Sequence, residues 1–117
     1  GTPLLSDPGY VLVRAAVDAG ITVLPVPGAS AAIAALSVSG LATDRFVFEG
    51  FLPARSSARQ ARLSTMRAQT ATMIFYEAPH RVLDTIGAMC AVFGGDRRAA
   101  IARELTKRFE TVLHDNL

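Results

Sequence analysis

The sequence has no tryptophan, one cysteine and one lysine among its 117 residues. A lone Cys90 excludes an internal disulfide and a cysteine-built zinc site. Set in the apolar run of Ile86, Met89, Val92 and Phe93, it reads as a small core residue in a reducing compartment. No apolar stretch approaches the roughly 18 residues of a membrane span, and residues 28–42 are too small and too punctuated by Ser and Gly to form one, so no membrane is expected as a partner. There is no GxGxxG and no GxxxxGK[ST], which removes the common nucleotide-binding fingerprints. Nothing resembles a signal peptide, and the chain opens without Met inside a dense loop, so it reads as a fragment.

Half of the residues are apolar, 19% are charged and the formal charge is +2. This suits one small domain or parts of two, and it excludes a disordered polyelectrolyte and a uniformly basic nucleic-acid binder. The charge is unevenly placed. Residues 1–53 set Arg14 and Arg45 against Asp7, Asp18, Asp44 and Glu49, net −2, whereas residues 54–117 set ten cations against six anions, net +4. Eleven of the twelve cations are Arg, which reflects a GC-rich genome more readily than bidentate phosphate recognition.

Helix and strand signals alternate. Asp7-Pro8 opens a helix expected over Pro8–Ala19, with Val11, Leu12, Ala15, Ala16 and Ala19 at helical spacing and Gly20 as its left-handed stop. Ile21–Val26 is expected as a buried strand, and the Ala- and Ser-rich segment up to Gly40 as a close-packing helix. Phe46–Phe51 is a strand or an extended linker, and Pro53 ends it. Arg55–Gln69 is expected as a solvated helix, Thr72–Tyr76 as a strand, and Pro79–Phe93 as an amphipathic helix stopped by Gly94-Gly95. Strands are expected at Ala99–Arg103 and Phe109–Leu113. The alternation predicts an α/β class with a largely parallel sheet in each part.

Ligands of open α/β sheets bind at the carboxyl ends of strands. Two turns are rich in small residues that let backbone amides approach an anionic or polar group: Gly1–Gly9 and Pro27–Ala31. Tight strand-to-helix turns use the same residues for structure alone. Phe75-Tyr76-Glu77-Ala78-Pro79-His80-Arg81 gathers a phenol, a carboxylate, an imidazole and a guanidinium at a strand end, as a site or as an ion pair and a helix cap. Arg103–Glu110 is a second polar strand end, either a site or the solvated rim of a hairpin. If it continues as a strand, Glu104 and Thr106 face one side and Arg103, Leu105 and Lys107 the other. Arg55, Arg59, Arg62 and Arg67 are spaced so that most share one helical face, suited to phosphate or to solvent. His114 has no partner in view.

Taken in order, GTPLLSDPGY, VPGASAAIAALSVSGL, DRFVFEGFLP, IFYEAPHR and ARELTKRFE resemble the tetrapyrrole methylase superfamily and, within it, the ribosomal RNA small subunit methyltransferase I group. The resemblance implies parts of two α/β domains with a cofactor cleft between them: residues 1–50 in the first, 51–53 as linker, 54–117 in the second. It implies S-adenosylmethionine as cofactor, no metal, a cytoplasmic location, a homodimer when full length, and 2′-O-methylation of a cytidine ribose in the decoding region of small-subunit RNA, naked or in the assembled small subunit. By carry-over, Gly1, Thr2, Pro3, Leu5, Ser30 and Ala31 hold the cofactor from the first domain, and Glu77 and Leu105 from the second. Glu77 stands where porphyrinoid methylases commonly have Met, which favours RNA over tetrapyrroles. Glu104 and Lys107 are the candidates for activating the ribose hydroxyl, with Glu77 third. Arg55, Arg59, Arg62 and Arg81 are the candidate RNA contacts. The rival readings are a tetrapyrrole methylase of the same fold and a non-catalytic nucleotide- or RNA-binding module.

Overall fold

The computed structural model describes all 117 residues, in two compact units, Gly1–Ala31 and Ala32–Leu117. The chain is α/β, with four α-helices and four strands. No helix is long and apolar enough to cross a membrane.

The first unit holds α1, Tyr10–Asp18. It starts two residues later than Asp7-Pro8 suggests. Gly9 is the N-cap at φ 130°, and no side chain caps the helix. A Cβ there would meet Leu4 Cδ2 at 2.7 Å, a side-chain end that can move, but the backbone angle itself is one that only glycine adopts without strain. The expected stop is present. Gly20, at φ 71°, donates its amide to Val17 O at 3.0 Å, and Ile21 donates to Ala16 O at 2.9 Å, the paired closure of a Schellman motif. Ile21–Val26 forms no strand, contrary to expectation. The only ladders in the chain are between other segments, and an apolar run becomes a strand only with a pairing edge. Ile21, Val23, Leu24 and Val26 are accordingly exposed.

The unit boundary falls after the first residue of α2 (Ala31–Val38), and the second unit continues with β1 (Phe46–Phe51), α3 (Ser56–Thr65) and β2 (Thr72–Tyr76). β1 and β2 are parallel, joined through α3, and a bulge between Phe48 and Gly50 leaves Glu49 without a register partner. Gly50 takes φ 66° at that bulge. Alternation along β2 feeds two cores. Met73 and Phe75 pack against Leu52, Leu63, Met66 and Val92, while Ile74 and Tyr76 pack with Ala32, Leu36 and Phe48. α3 is therefore not solvated all round: Arg59, Leu63 and Met66 are buried, an i, i+4, i+7 stripe whose Leu63 and Met66 join Leu52 and Val92, while Arg59 turns to Ala54 at the helix start.

A short 3₁₀ turn, Pro79–Arg81, leads into α4 (Val82–Phe93), which Gly94 ends at φ 87°. β3 (Arg98–Arg103) and β4 (Thr111–Asn116) then pair antiparallel, as the hairpin reading of Arg103–Glu110 has it and not parallel as the alternation predicts. The connection is only residues 104–110, and a parallel return needs a crossover of about a dozen residues or more.

Candidate functional site

In the first unit, the structure brings together the two loops singled out by their small residues. Thr2 Oγ1 donates to the Ala29 carbonyl at 3.1 Å, and a Cβ on Gly1 would stand 3.5 Å from the same oxygen. Within the first loop the chain is wound tightly: Leu4 and Ser6, neither a glycine, take φ of 71° and 55°. Such left-handed residues cost about 1–3 kcal/mol each and concentrate at functional loops. Gly1, Thr2, Pro3, Leu5 and Ala31 are exposed, whereas Ser30 Oγ is buried with no hydrogen-bond partner. An unpaired buried hydroxyl costs on the order of 1–3 kcal/mol, which a polar ligand atom would recover. This orphaned donor fits a ligand-holding loop.

In the second unit, Glu77 is the centre of a network at the end of β2. Its Oε2 accepts from Thr85 Oγ1 at 2.7 Å and from Arg81 Nη2 at 3.2 Å, and its Oε1 accepts from the Ala78 amide at 2.8 Å. Arg81 Nη2 lies 2.9 Å from Oε1 and donates to the Leu52 carbonyl, also at 2.9 Å. Burial of the carboxyl pushes its pKa up, but the bonds from Thr85, Ala78 and Arg81, together with the Arg81 charge, outweigh that and hold it below the ordinary value. A carboxylate satisfied by three donors is a poor proton acceptor and a firm structural tie. Arg81 points into this network and is only 23% exposed, so its guanidinium is committed to Glu77 and Leu52.

β3 ends at Arg103, and the ARELTK segment leaves it as a turn, so the strand-like alternation expected for residues 103–107 does not apply. Glu104 and Thr106 both take left-handed φ, 52° and 64°. Lys107 Nζ approaches Glu104 Oε1 at 3.3 Å, and the Thr106 amide donates to Glu110 Oε2 at 2.9 Å. A carboxylate and an ammonium thus stand side by side and solvent-facing on a strained turn, with Leu105 half-buried between them.

The arginines divide by partner. Arg55 is exposed, Arg59 is buried with Nη1 donating to Ala54 O at 3.2 Å, and Arg62 pairs with Glu49. Arg55, Arg59 and Arg62 therefore do not form one solvent face as their spacing suggests, because Arg59 shares the inward stripe of Leu63. Three contacts were not foreseen from the residues. Thr85 is 3% exposed beneath Glu77; its signal was a hydroxyl one helical turn beyond Arg81 on the apolar face of α4. The Tyr76 hydroxyl accepts the Ala32 amide at 3.2 Å near the start of α2. His114 does have a partner, the Val38 carbonyl at 2.9 Å from Nε2, beside a shallow hollow that none of the candidate site residues lines.

Over residues 1–117 the chain matches the family model described as Tetrapyrrole (Corrin/Porphyrin) Methylases. It is 59% identical over 112 residues to the "Ribosomal RNA small subunit methyltransferase I" of Pseudomonas aeruginosa, covering 96% of this chain and 40% of that protein. The Xylella fastidiosa (strain Temecula1) protein of the same name is 59% identical over 117 residues, covering 100% and 43%. The protein of that name from Escherichia coli O157:H7 is 54% identical over 112 residues, covering 96% and 39%. The chain thus spans about two fifths of the length of the curated relatives it matches. With a family match running its full length, the chain belongs to the tetrapyrrole (corrin/porphyrin) methylase family.

Proposed function

We propose that the intact protein is an S-adenosylmethionine-dependent methyltransferase acting on the ribose 2′-oxygen of a cytidine in the decoding region of small-subunit ribosomal RNA. The observation that carries this reading is the 59% identity, across the whole chain, to a protein named for small-subunit rRNA methylation. The unpaired Ser30 hydroxyl and the contact between Thr2 and Ala29 support a cofactor-holding role for Gly1, Thr2, Pro3, Leu5, Ser30 and Ala31. Glu77 and Leu105 are further candidates for that role. The division of the intact protein into successive domains at 1–50 and 54–117 remains part of the proposal, with the β1–β2 sheet spanning residues 51–53; the intact protein acts in the cytoplasm as a homodimer.

The chemistry that S-adenosylmethionine supplies when bound is an activated methyl group with a neutral thioether as leaving group. The residues then have two tasks, alignment and the proton. Alignment of bound reactants corresponds to effective molarities on the order of 10⁵ M or more. Glu104 accepts the proton of the ribose hydroxyl, or Lys107 orients that hydroxyl through its charge. Glu77 is a weaker candidate for the proton than its position at a strand end suggests, because both of its oxygens are already occupied by donors. Exposed Arg55 offers its guanidinium to RNA phosphate.

The test is transfer of labelled methyl groups by the intact protein to assembled small subunits, with the modified nucleotide located by mass spectrometry. A label on a cytidine 2′-oxygen is the expected result. Transfer to uroporphyrinogen and not to small subunits would establish the tetrapyrrole reading instead, and cofactor or RNA binding without transfer would establish a non-catalytic module.

A further inference from the structure

The first turn of α3 carries charge of one sign. Its N-cap is Arg55, extended at φ −70° and ψ 126°, no side chain caps the helix, and no acidic residue lies in the first turn. The first intrahelical bond runs from the Arg59 amide to Arg55 O at 2.9 Å, so the amides of Ser56, Ser57 and Ala58 have no acceptor within the helix. These amides carry the positive end of the helix dipole, about half an elementary charge.

A second cation is folded into the same place. Arg59 is 6% exposed, and its Nη1 donates to the carbonyl of Ala54, the residue before the N-cap. Its Nε is buried without a partner, and no carboxylate lies within ion-pair distance of it. A buried guanidinium without a counter-charge is strongly unfavourable, and buried charges are ordinarily paired. The difference from the other arginines lies in the counter-charge: Arg62 is matched by Glu49, and Arg81, whose Nε is likewise buried without a partner, by Glu77. At the start of α3 the chain supplies two guanidinium groups and three free amides and no negative group of its own.

We propose that the N-terminus of α3, with Arg55 at its mouth and Arg59 beneath it, seats one backbone phosphate of the RNA substrate. A phosphate diester presents two unesterified oxygens that can accept together from helix amides and a guanidinium, and phosphate contacts of this kind set the register of a bound strand. The exposed Ser56 and Ser57 leave the amides open to a ligand. Arg59 acts from below through its charge. The inference rests on the rRNA reading above and adds to it one defined contact point.

The test is to give the helix an anion of its own. In the intact protein, Ser57→Asp places a carboxylate over the free amides. It should raise the Tm by about 1–4 °C, because an acid in the first turn suits the dipole. It should also weaken binding to a small-subunit rRNA fragment and reduce the slope of log K against log salt by about 0.7, one single-strand phosphate contact. Ser57→Asn should keep the wild-type slope, and Arg55→Ala should lower it without the gain in Tm. Inorganic pyrophosphate should raise the Tm of the wild type and not that of Ser57→Asp. An unchanged salt slope in Ser57→Asp, or equal stabilisation of both proteins by pyrophosphate, or of neither, overturns the phosphate seat. Wild-type protein that pyrophosphate stabilises but that binds no rRNA overturns the rRNA reading and leaves the anion seat standing.

Discussion

Arg81 Nη2 stands 2.9 Å from the carbonyl oxygen of Leu52 and 2.9 Å from Glu77 Oε1, so a single amino group ties the segment after β1 to the end of β2. Two blocks far apart in sequence, EGFLP and FYEAPHR, are thereby one structural element. Arg81→Met should destabilise the protein by about 1–3 kcal/mol, because it leaves both the carbonyl and the half-buried carboxylate short of a donor. Urea unfolding measures this. A double-mutant cycle with Glu77→Gln should show a loss in the pair smaller than the sum of the single losses.

Glu77 also predicts a pH dependence. Its folded-state pKa is lowered from the ordinary 4.5, with burial opposing and the bonds from Thr85, Ala78 and Arg81 prevailing. The unfolded chain therefore binds a proton here at a pH where the folded chain does not. The stabilisation is fully present above the ordinary carboxylate value and is lost as pH falls through the folded-state value. Urea midpoints followed from about pH 6 to about pH 3 should decline for wild type and decline less steeply for Glu77→Gln. Equal slopes in the two proteins would remove Glu77 as the source.

The core makes a separate prediction. Leu63 is fully buried where α3 packs against α4, among Leu52, Met66 and Val92. Leu63→Ala should cost about 2–5 kcal/mol, the range for leaving a cavity in a packed core. Leu83→Ala on exposed α4 surface should cost well under 1 kcal/mol.

How far the residues alone announce these features depends on the range of the interaction. Glycine stops at Gly20 and Gly94 are local facts about left-handed backbone, and both are where the sequence puts them. The strands at Thr72–Tyr76 and near Arg98–Arg103 follow from short apolar runs that find a pairing edge in this chain. Ile21–Val26 has the same apolar character and no such edge, so composition misleads there. The antiparallel return of β4 was available from loop length, since seven residues do not span a parallel crossover. Charge is the least legible property. Arg55, Arg59, Arg62 and Arg81 look alike in sequence, yet one is exposed, one is buried unpaired, one is held by Glu49 from another segment and one by Glu77 within its own block. Helical spacing places an arginine on a face but does not say which face the sheet will cover. The contact between the loops Gly1–Gly9 and Pro27–Ala31, through Thr2 and Ala29, is in keeping with their small residues, since close backbone approach needs them.

The turn after β3 carries a prediction that separates strain from chemistry. Thr106 is β-branched and held at φ 64°, a conformation that suits glycine. Thr106→Gly should leave stability unchanged or raise it by up to about 1 kcal/mol, because relief of strain offsets the added freedom of the unfolded chain. If the turn is held for function, the same variant should lower methyl transfer while its Tm does not fall. A drop in both would make the turn merely structural.

The last prediction concerns Glu104 and Lys107 themselves. Their side chains meet at 3.3 Å and are 49% and 67% exposed, so the pair is worth little to folding, on the order of 0–1 kcal/mol. Under the proposed function, this carboxylate and ammonium, on a turn that two left-handed residues hold in shape, serve the methyl transfer, and the small value of the pair to folding lets the two roles be separated by experiment. Glu104→Gln keeps the size and one acceptor but removes the base; Lys107→Met keeps the stem and removes the charge. In the intact protein each should lower the single-turnover rate of methyl transfer to assembled small subunits by roughly 10²-fold or more, the usual cost of losing acid-base assistance. Tm and cofactor affinity should stay near wild type. Glu104→Gln should also change the pH profile, because the unaided hydroxyl reacts faster as pH rises. Wild-type rates in both variants would leave alignment as the only catalytic device and remove these two residues from the mechanism.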